Sequence, residues 1–247
     1  MKRIIVLSVV LLMATWTLQA QVWKIVRTDG RVEKIPASKV ELVTVEEVTE
    51  HEYVDLGLPS GTLWATTNVG AEKPEDFGNF FAWGEVTGVD EGKTNYTWKT
   101  YKWCNGSFNQ LTKYCVQDSL GAVDNRYSLL LEDDAAYVCW GPQWRMPNYL
   151  ELMELTTECT WEQAEMNGVP GCEVTGPNGN TLFLPAGGWY DQKSHNGVDV
   201  GGDYWGRSLR GTTNERAWGM WFFNDRHGYA ITFPRYFGRM IRPVYVP

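Results

Sequence analysis

Seven arginines, no lysine and eleven aromatic side chains fall within the 45 residues from Asp203 to Pro247. Guanidinium groups and large rings dominate binding hot spots, because each offers wide contact area with a polar handle. Arg207, Arg210, Arg216, Arg226 and His227 lie in loop-like stretches and are expected to touch a ligand, together with Trp218 and Tyr229. Trp205, Trp218, Trp221 and Phe233 also read as core, since every second residue of a strand points inward. The chemistry expected of such a surface is ring stacking on a glycan or surface polymer. Arginines would pair with its carboxylate or sulfate groups.

Catalytic and metal chemistry find less support. Trp221-Phe222-Phe223-Asn224-Asp225 half-echoes one element of a calcium-dependent sugar site. The Glu-Pro-Asn or Gln-Pro-Asp loop that would complete the six to eight oxygen ligands is missing. Ser208, within Gly206-Arg207-Ser208-Leu209-Arg210-Gly211, misses the spacing of a nucleophile elbow. Nothing places His51, His195 or His227 beside a serine. Scattered histidines without a Cys-x-x-Cys pair argue against a transition metal. Asp133 and Asp134 read as helix-start residues. No enzyme activity, cofactor or metal is expected.

Charge and targeting narrow the partners. Lys2 and Arg3, the apolar run Ile4–Met13 and Leu18-Gln19-Ala20 predict a signal peptide over residues 1–20. That run is too short to span a bilayer, which takes roughly 20 residues. Export to the periplasm, cell surface or medium follows, with no membrane span after cleavage. The chain carries 22 basic and 30 acidic residues, a net charge of −8. An acidic chain is a poor match for nucleic acid. The basic excess is confined to residues 203–247, where it could steer an anionic ligand. Five cysteines in an exported chain suggest two disulfides. Short separations favour Cys104–Cys115 and Cys159–Cys172, leaving Cys139 inside a helix. Small buried thiols are the open alternative.

The elements that must position these groups are short. Val22–Val26 alternates like a strand, Thr28-Asp29-Gly30 signals a turn, and Val32–Ile35 returns. Residues 21–48 thus form a small β-rich unit, with a possible third strand at Val40–Val48. From Tyr53 onward glycine and proline turn signals are dense, with apolar runs such as Thr62–Ala65, Asn79–Trp83 and Thr181–Pro185 between them. Two helices are expected, at Glu132–Trp140 and Asn148–Cys159. The second carries a capping box from Asn148 and Glu151 and a stripe of Leu150, Leu152, Met153 and Leu155. Ala217–Phe223 and Tyr229–Phe233 predict strands joined by Asn224–Gly228, and Arg239–Val244 predicts a closing strand whose Pro243 marks an edge or an end.

Several of these stretches are similar to one family. Tyr53-Val54-Asp55-Leu56-Gly57-Leu58-Pro59-Ser60-Gly61-Thr62-Leu63-Trp64-Ala65, Phe81-Ala82-Trp83-Gly84-Glu85, Trp144-Arg145-Met146-Pro147, Gly176-Pro177-Asn178-Gly179-Asn180 and Ile241-Arg242-Pro243-Val244 resemble the Fibrobacter succinogenes major paralogous domain family. The likeness runs from about Tyr53 to Val244. It implies an exported protein of the kind common in gut Bacteroidetes, and an α+β, C-type-lectin-like domain over residues 51–247 with two helices and short antiparallel sheets. The C-terminal strands and loops would carry the ligand face, and Arg145 and Arg242 would be structural. Many relatives read Tyr-Trp-Ser-Ser where this chain has Tyr204-Trp205-Gly206-Arg207-Ser208. All five cysteines precede Glu173, which leaves no C-terminal cysteine pair for formylglycine-type oxidation. The leading expectation is a non-catalytic module that binds a glycan, a surface polymer or a protein. The competing one is an assembly component of the envelope or a fimbrial tip.

Overall fold

The computed structural model describes residues 22–26, 32–36, 51–224 and 226–247, with side chains for 51–224 and 231–247. The chain divides into two units between Val48 and Thr49. In the first, β1 (Val22–Val26) pairs antiparallel with β2 (Val32–Pro36), Val26 opposite Val32. The turn at Thr28–Gly30 and the third strand suggested at Val40–Val48 lie outside the described residues.

The second unit is α+β. In chain order it contains β3 (Tyr53–Asp55), β4 (Leu63–Ala65), α1 (Ala135–Trp140), β5 (Trp144–Arg145) and α2 (Tyr149–Glu158). Then follow β6 (Thr160–Met166), β7 (Val169–Thr175), β8 (Thr181–Pro185), β9 (Trp189–Asp191) and β10 (Ser194–Asn196). β11 (Gly201–Leu209), β12 (Arg216–Phe223), β13 (Arg226–Pro234) and β14 (Val244–Tyr245) complete it. The sheets are small and antiparallel, with orders β3-β4-β14-β5, β6-β7-β8, β9-β10 and β11-β12-β13. Among the described residues no helix is long and apolar enough to cross a membrane.

Both helices start where their caps dictate. α1 begins at Ala135, three residues later than the acidic run suggests, because buried Asp134 is its N-cap. Its Oδ1 accepts the backbone N–H groups of Ala136 (3.2 Å) and Tyr137 (3.3 Å), and also that of Met146 (3.0 Å). Asp134→Ala should therefore cost about 2–4 kcal/mol in urea unfolding, combining a lost cap with an orphaned Met146 N–H. Asp134→Asn, which keeps an acceptor, should recover part of that loss. α2 has the expected capping box: Asn148 Oδ1 accepts from Leu150 and Glu151, and Glu151 Oε2 accepts from Asn148 N (2.7 Å). Of its expected stripe Leu152 and Leu155 are buried, but Leu150 is 71% exposed. Leu150 sits beside the cap, on the outer side of the first turn.

The C-terminal strands correct the sequence reading in three places. β11, which contains Arg207, is a nine-residue strand where loop was expected. β13 starts at Arg226, because Phe223 already pairs with Arg226, so Arg226 and His227 are strand residues. The closing strand shrinks to Val244–Tyr245, with Pro243 immediately before it.

Two cores flank β11-β12-β13. Leu152 and Leu155 of α2 join Tyr204, Met220, Trp161, Val174 and Leu184 in one. Trp205, Leu209 and Ala217 join Phe81, Trp83, Tyr114 and Ile241 in the other. Alternation along each strand sends successive residues to opposite cores.

No disulfide forms: all five cysteines are free. Cys104 Sγ approaches Trp98 O (2.9 Å), whereas Cys115 Sγ approaches Gln117 O (3.1 Å). Cys172 lies opposite Gln163 on β6, and Cys159 precedes Thr160 at that strand's start. Four strand positions make roughly 13 Å, well past the reach of a disulfide. Cys139 lies within α1, as expected, on its exposed side.

Candidate functional site

A ring-lined concavity opens on one face of β11-β12-β13, with a volume of 440 Å³. That lies within the range of small-molecule pockets, about 300–1,000 Å³. Its walls follow from strand register. Asp203 of β11 faces Trp221 of β12, and Gly219 faces Ile231 of β13. Ile231 and Phe233 alternate with Thr232, so both rise on the cleft side while Thr232 points away. Phe222 and Phe223 extend the wall past a register shift after Trp221.

The opposite wall is β9 with the segment after β13. Tyr190 and Gly238 exchange backbone hydrogen bonds of 2.8 and 2.9 Å, which fixes Trp189 and Asp191 beside Phe237 and Arg239. Glycine makes the close approach possible. Gly188 has φ +64, and a Cβ there would lie 1.9 Å from Asn196 O; a Cβ at Gly202 would meet the Phe222 ring at 2.6 Å. The Gly187-Gly188 and Gly201-Gly202 pairs, which read as turn signals, thus bring β9 against β11.

Charge at the cleft floor is organised by Arg239. The guanidinium lies 3.3 Å from the Phe233 ring centroid and 5.3 Å from those of Trp205 and Phe237, and it is ion-paired with Asp203. Burial pushes Arg239 down to about 10 against the pull of Asp203. Burial also raises Asp203, opposed by Arg239. Asp191 makes no ion pair among the described residues, although its charge also favours the charged form of Arg239. Its Oδ1 is buried without a hydrogen bond, as are Trp221 Nε1 and Arg239 Nε. Burial, the Asp191 charge and a hydrogen bond to Asp191 raise the Tyr236 hydroxyl. The cleft therefore combines ring faces with an unpartnered acceptor and unpartnered donors.

None of the four expected contact residues with described side chains lines this cleft. Arg207 donates through Nη2 to Leu129 O (2.7 Å), and its Nε lies 3.9 Å from Asp134. Arg210 and Arg216 converge on the Thr232 hydroxyl at 3.3 and 3.2 Å, across the sheet from the cleft. Burial and the Arg210 charge lower Arg216. Trp218 packs on Tyr149 of α2, ring centroids 4.3 Å apart. The side chains of Arg226, His227 and Tyr229 lie outside the described residues. Arg145 is structural, bound to Glu151 (2.7 and 2.5 Å), and Arg242 is fully buried. The residues that sequence reasoning missed are Trp189, Asp191, Asp203, Phe237 and Arg239. No motif or spacing marks them: Trp189 and Asp191 follow Gly187-Gly188, which reads only as a turn, and Asp203, Phe237 and Arg239 lie far along the chain.

No protein family, curated protein or solved structure matches the chain. Function therefore rests on the site itself.

A second concavity, of 420 Å³, lies along residues 85–100. Its charged groups are already engaged, Glu85 with Lys93 and Glu91 with Gly88 N and Asn79 Nδ2. The aromatic cleft is the stronger candidate. His195 is likewise engaged, its Nε2 2.7 Å from Gly187 O and its ring stacked on Tyr190.

Proposed function

We propose that the protein is an exported, non-catalytic recognition module that seats a glycan in the aromatic cleft. The observation that carries this reading is the conjunction of exposed ring faces with Asp191 Oδ1, Trp221 Nε1 and Arg239 Nε, all lacking hydrogen bonds. A sugar offers apolar C–H faces to rings and hydroxyls that both donate and accept. Buried polar atoms left unpaired cost about 1–3 kcal/mol each, so a ligand that completes them gains that much in return. Binding is favoured over turnover because glycoside hydrolysis uses two carboxyl groups in distinct roles. On the described lining Asp203 is held by Arg239, which leaves Asp191 as the one carboxyl outside an ion pair. Export rests on the basic-apolar leader, and the C-type-lectin-like architecture rests on the sequence likeness of residues 53–244; both belong to the same proposal.

The test is glycan-array binding by the mature chain. Trp189→Ala and Trp221→Ala should each weaken binding by roughly 30-fold, the scale of a hot-spot residue of about 2 kcal/mol. Neither ring is fully buried, so the melting temperature should stay close to that of the wild type. Arg210→Ala, across the sheet, should bind normally. Loss of ligand by Arg210→Ala with both tryptophan variants unaffected would move the site away from the cleft.

A further inference from the structure

Resting on that glycan reading, we infer that Asp191 makes the cleft selective for uncharged sugars and excludes acidic ones. The C-terminal segment is rich in arginine, which alone would suggest the opposite, a ligand bearing carboxylate or sulfate. The geometry takes most of the arginines with described side chains away from the cleft. Arg207, Arg210 and Arg216 are hydrogen-bonded away from the cleft, to Leu129 O and to Thr232. Arg235 and Arg242 are fully buried among backbone carbonyls. Among the described side chains Arg239 is the one arginine that reaches the cleft, and its charge is offset by Asp203. What remains outside an ion pair on the described lining is the Asp191 carboxylate, so Asp191, Asp203 and Arg239 together leave one net negative charge.

That charge stands among Trp189, Trp221, Phe233 and Phe237 in an open cleft. The apolar rings lower the local dielectric below that of bulk water, so a charge there acts more strongly than in free solution. Sugar hydroxyls can both donate to Asp191 Oδ1 and accept from Trp221 Nε1 or Arg239 Nε. A uronate's carboxylate or a sulfate group can only accept, so placed against Asp191 it would meet a like charge and leave Oδ1 without a donor. Like charges in such a setting repel by enough to lower affinity roughly tenfold or more.

The experiment uses the mature chain and an array of cello-, manno- and galacto-hexaoses, each paired with its C6-oxidised uronate, followed by tryptophan-fluorescence titration. The wild type should bind at least one neutral member and bind its uronate roughly tenfold or more weakly. Asp191→Asn keeps an acceptor and removes the charge, so it should narrow that gap to within about threefold at an unchanged melting temperature. Raising salt to roughly 1 M, where the Debye length falls to about 3 Å, should narrow the gap in the wild type as well, independently of any variant. Equal binding of neutral and oxidised forms by the wild type would overturn the selectivity while leaving the glycan reading intact. So would a gap unchanged in both Asp191→Asn and high salt. Failure of every array member to bind would overturn the glycan reading and this inference with it.

Discussion

Arg235→Leu should cost about 3–5 kcal/mol and leave the second unit unfolded or nearly so, as read by near-ultraviolet dichroism and urea titration. Arg235 is fully buried. Its Nε donates to Tyr101 Oη (2.9 Å), Nη1 to Tyr114 O (3.1 Å) and Asn214 O (3.0 Å), and Nη2 to Lys113 O (3.0 Å). The guanidinium also lies over the rings of Trp83, Tyr101 and Tyr114, 4.9 to 5.9 Å from their centroids. One side chain thus ties the irregular stretch around residues 101–114 to the turn at Asn214 and the end of β13. Leucine fills part of the volume but leaves three carbonyls and a tyrosine hydroxyl without a donor in a dry interior. Lysine should not rescue, since a point charge with three donors lacks the planar fork these acceptors surround. A loss below about 1 kcal/mol would show that water satisfies the carbonyls.

The second large effect concerns the ion pair under the cleft. Asp203→Ala strands the Arg239 guanidinium in the interior and should cost about 3–5 kcal/mol. Removing both charges together, as Asp203→Ala with Arg239→Met, should be milder than Asp203→Ala alone, because a neutral pair carries no desolvation penalty. Methionine also keeps contact with the Phe233 ring. Chemical denaturation of the three proteins decides the matter. If the double variant is less stable than Asp203→Ala, the pair contributes attraction beyond its own desolvation, and Arg239 matters chiefly as a stacking partner for Phe233.

Some of this organisation was legible in residue order, and the reasons differ element by element. The capping box of α2 could be read because Asn148 and Glu151 interact over three residues, and the β1–β2 pairing because turn and strands are adjacent. β11 was obscured by its own glycines. Gly201 and Gly202 look like a turn, yet they serve close packing against Phe222 and Phe223, a requirement set by residues twenty positions away. The arginines misled for the same reason. Composition marks them as a contact surface, but whether a guanidinium meets a ligand or a buried carbonyl depends on long-range partners such as Lys113 and Phe183. Asp191 was missed because an isolated acid next to two rings carries no spacing signal. Its standing comes from what fails to reach it.

The sheet order β3-β4-β14-β5 places Val244 between Trp64 and Arg145. Neither β4 nor β5 finds that neighbour until a strand some 180 residues downstream of β4 has arrived. Pairings so distant along the chain slow folding, because loop closure precedes any reward from contact. Until then two open strand edges wait in a partly assembled chain. Those edges are where pairing between partly folded copies would begin.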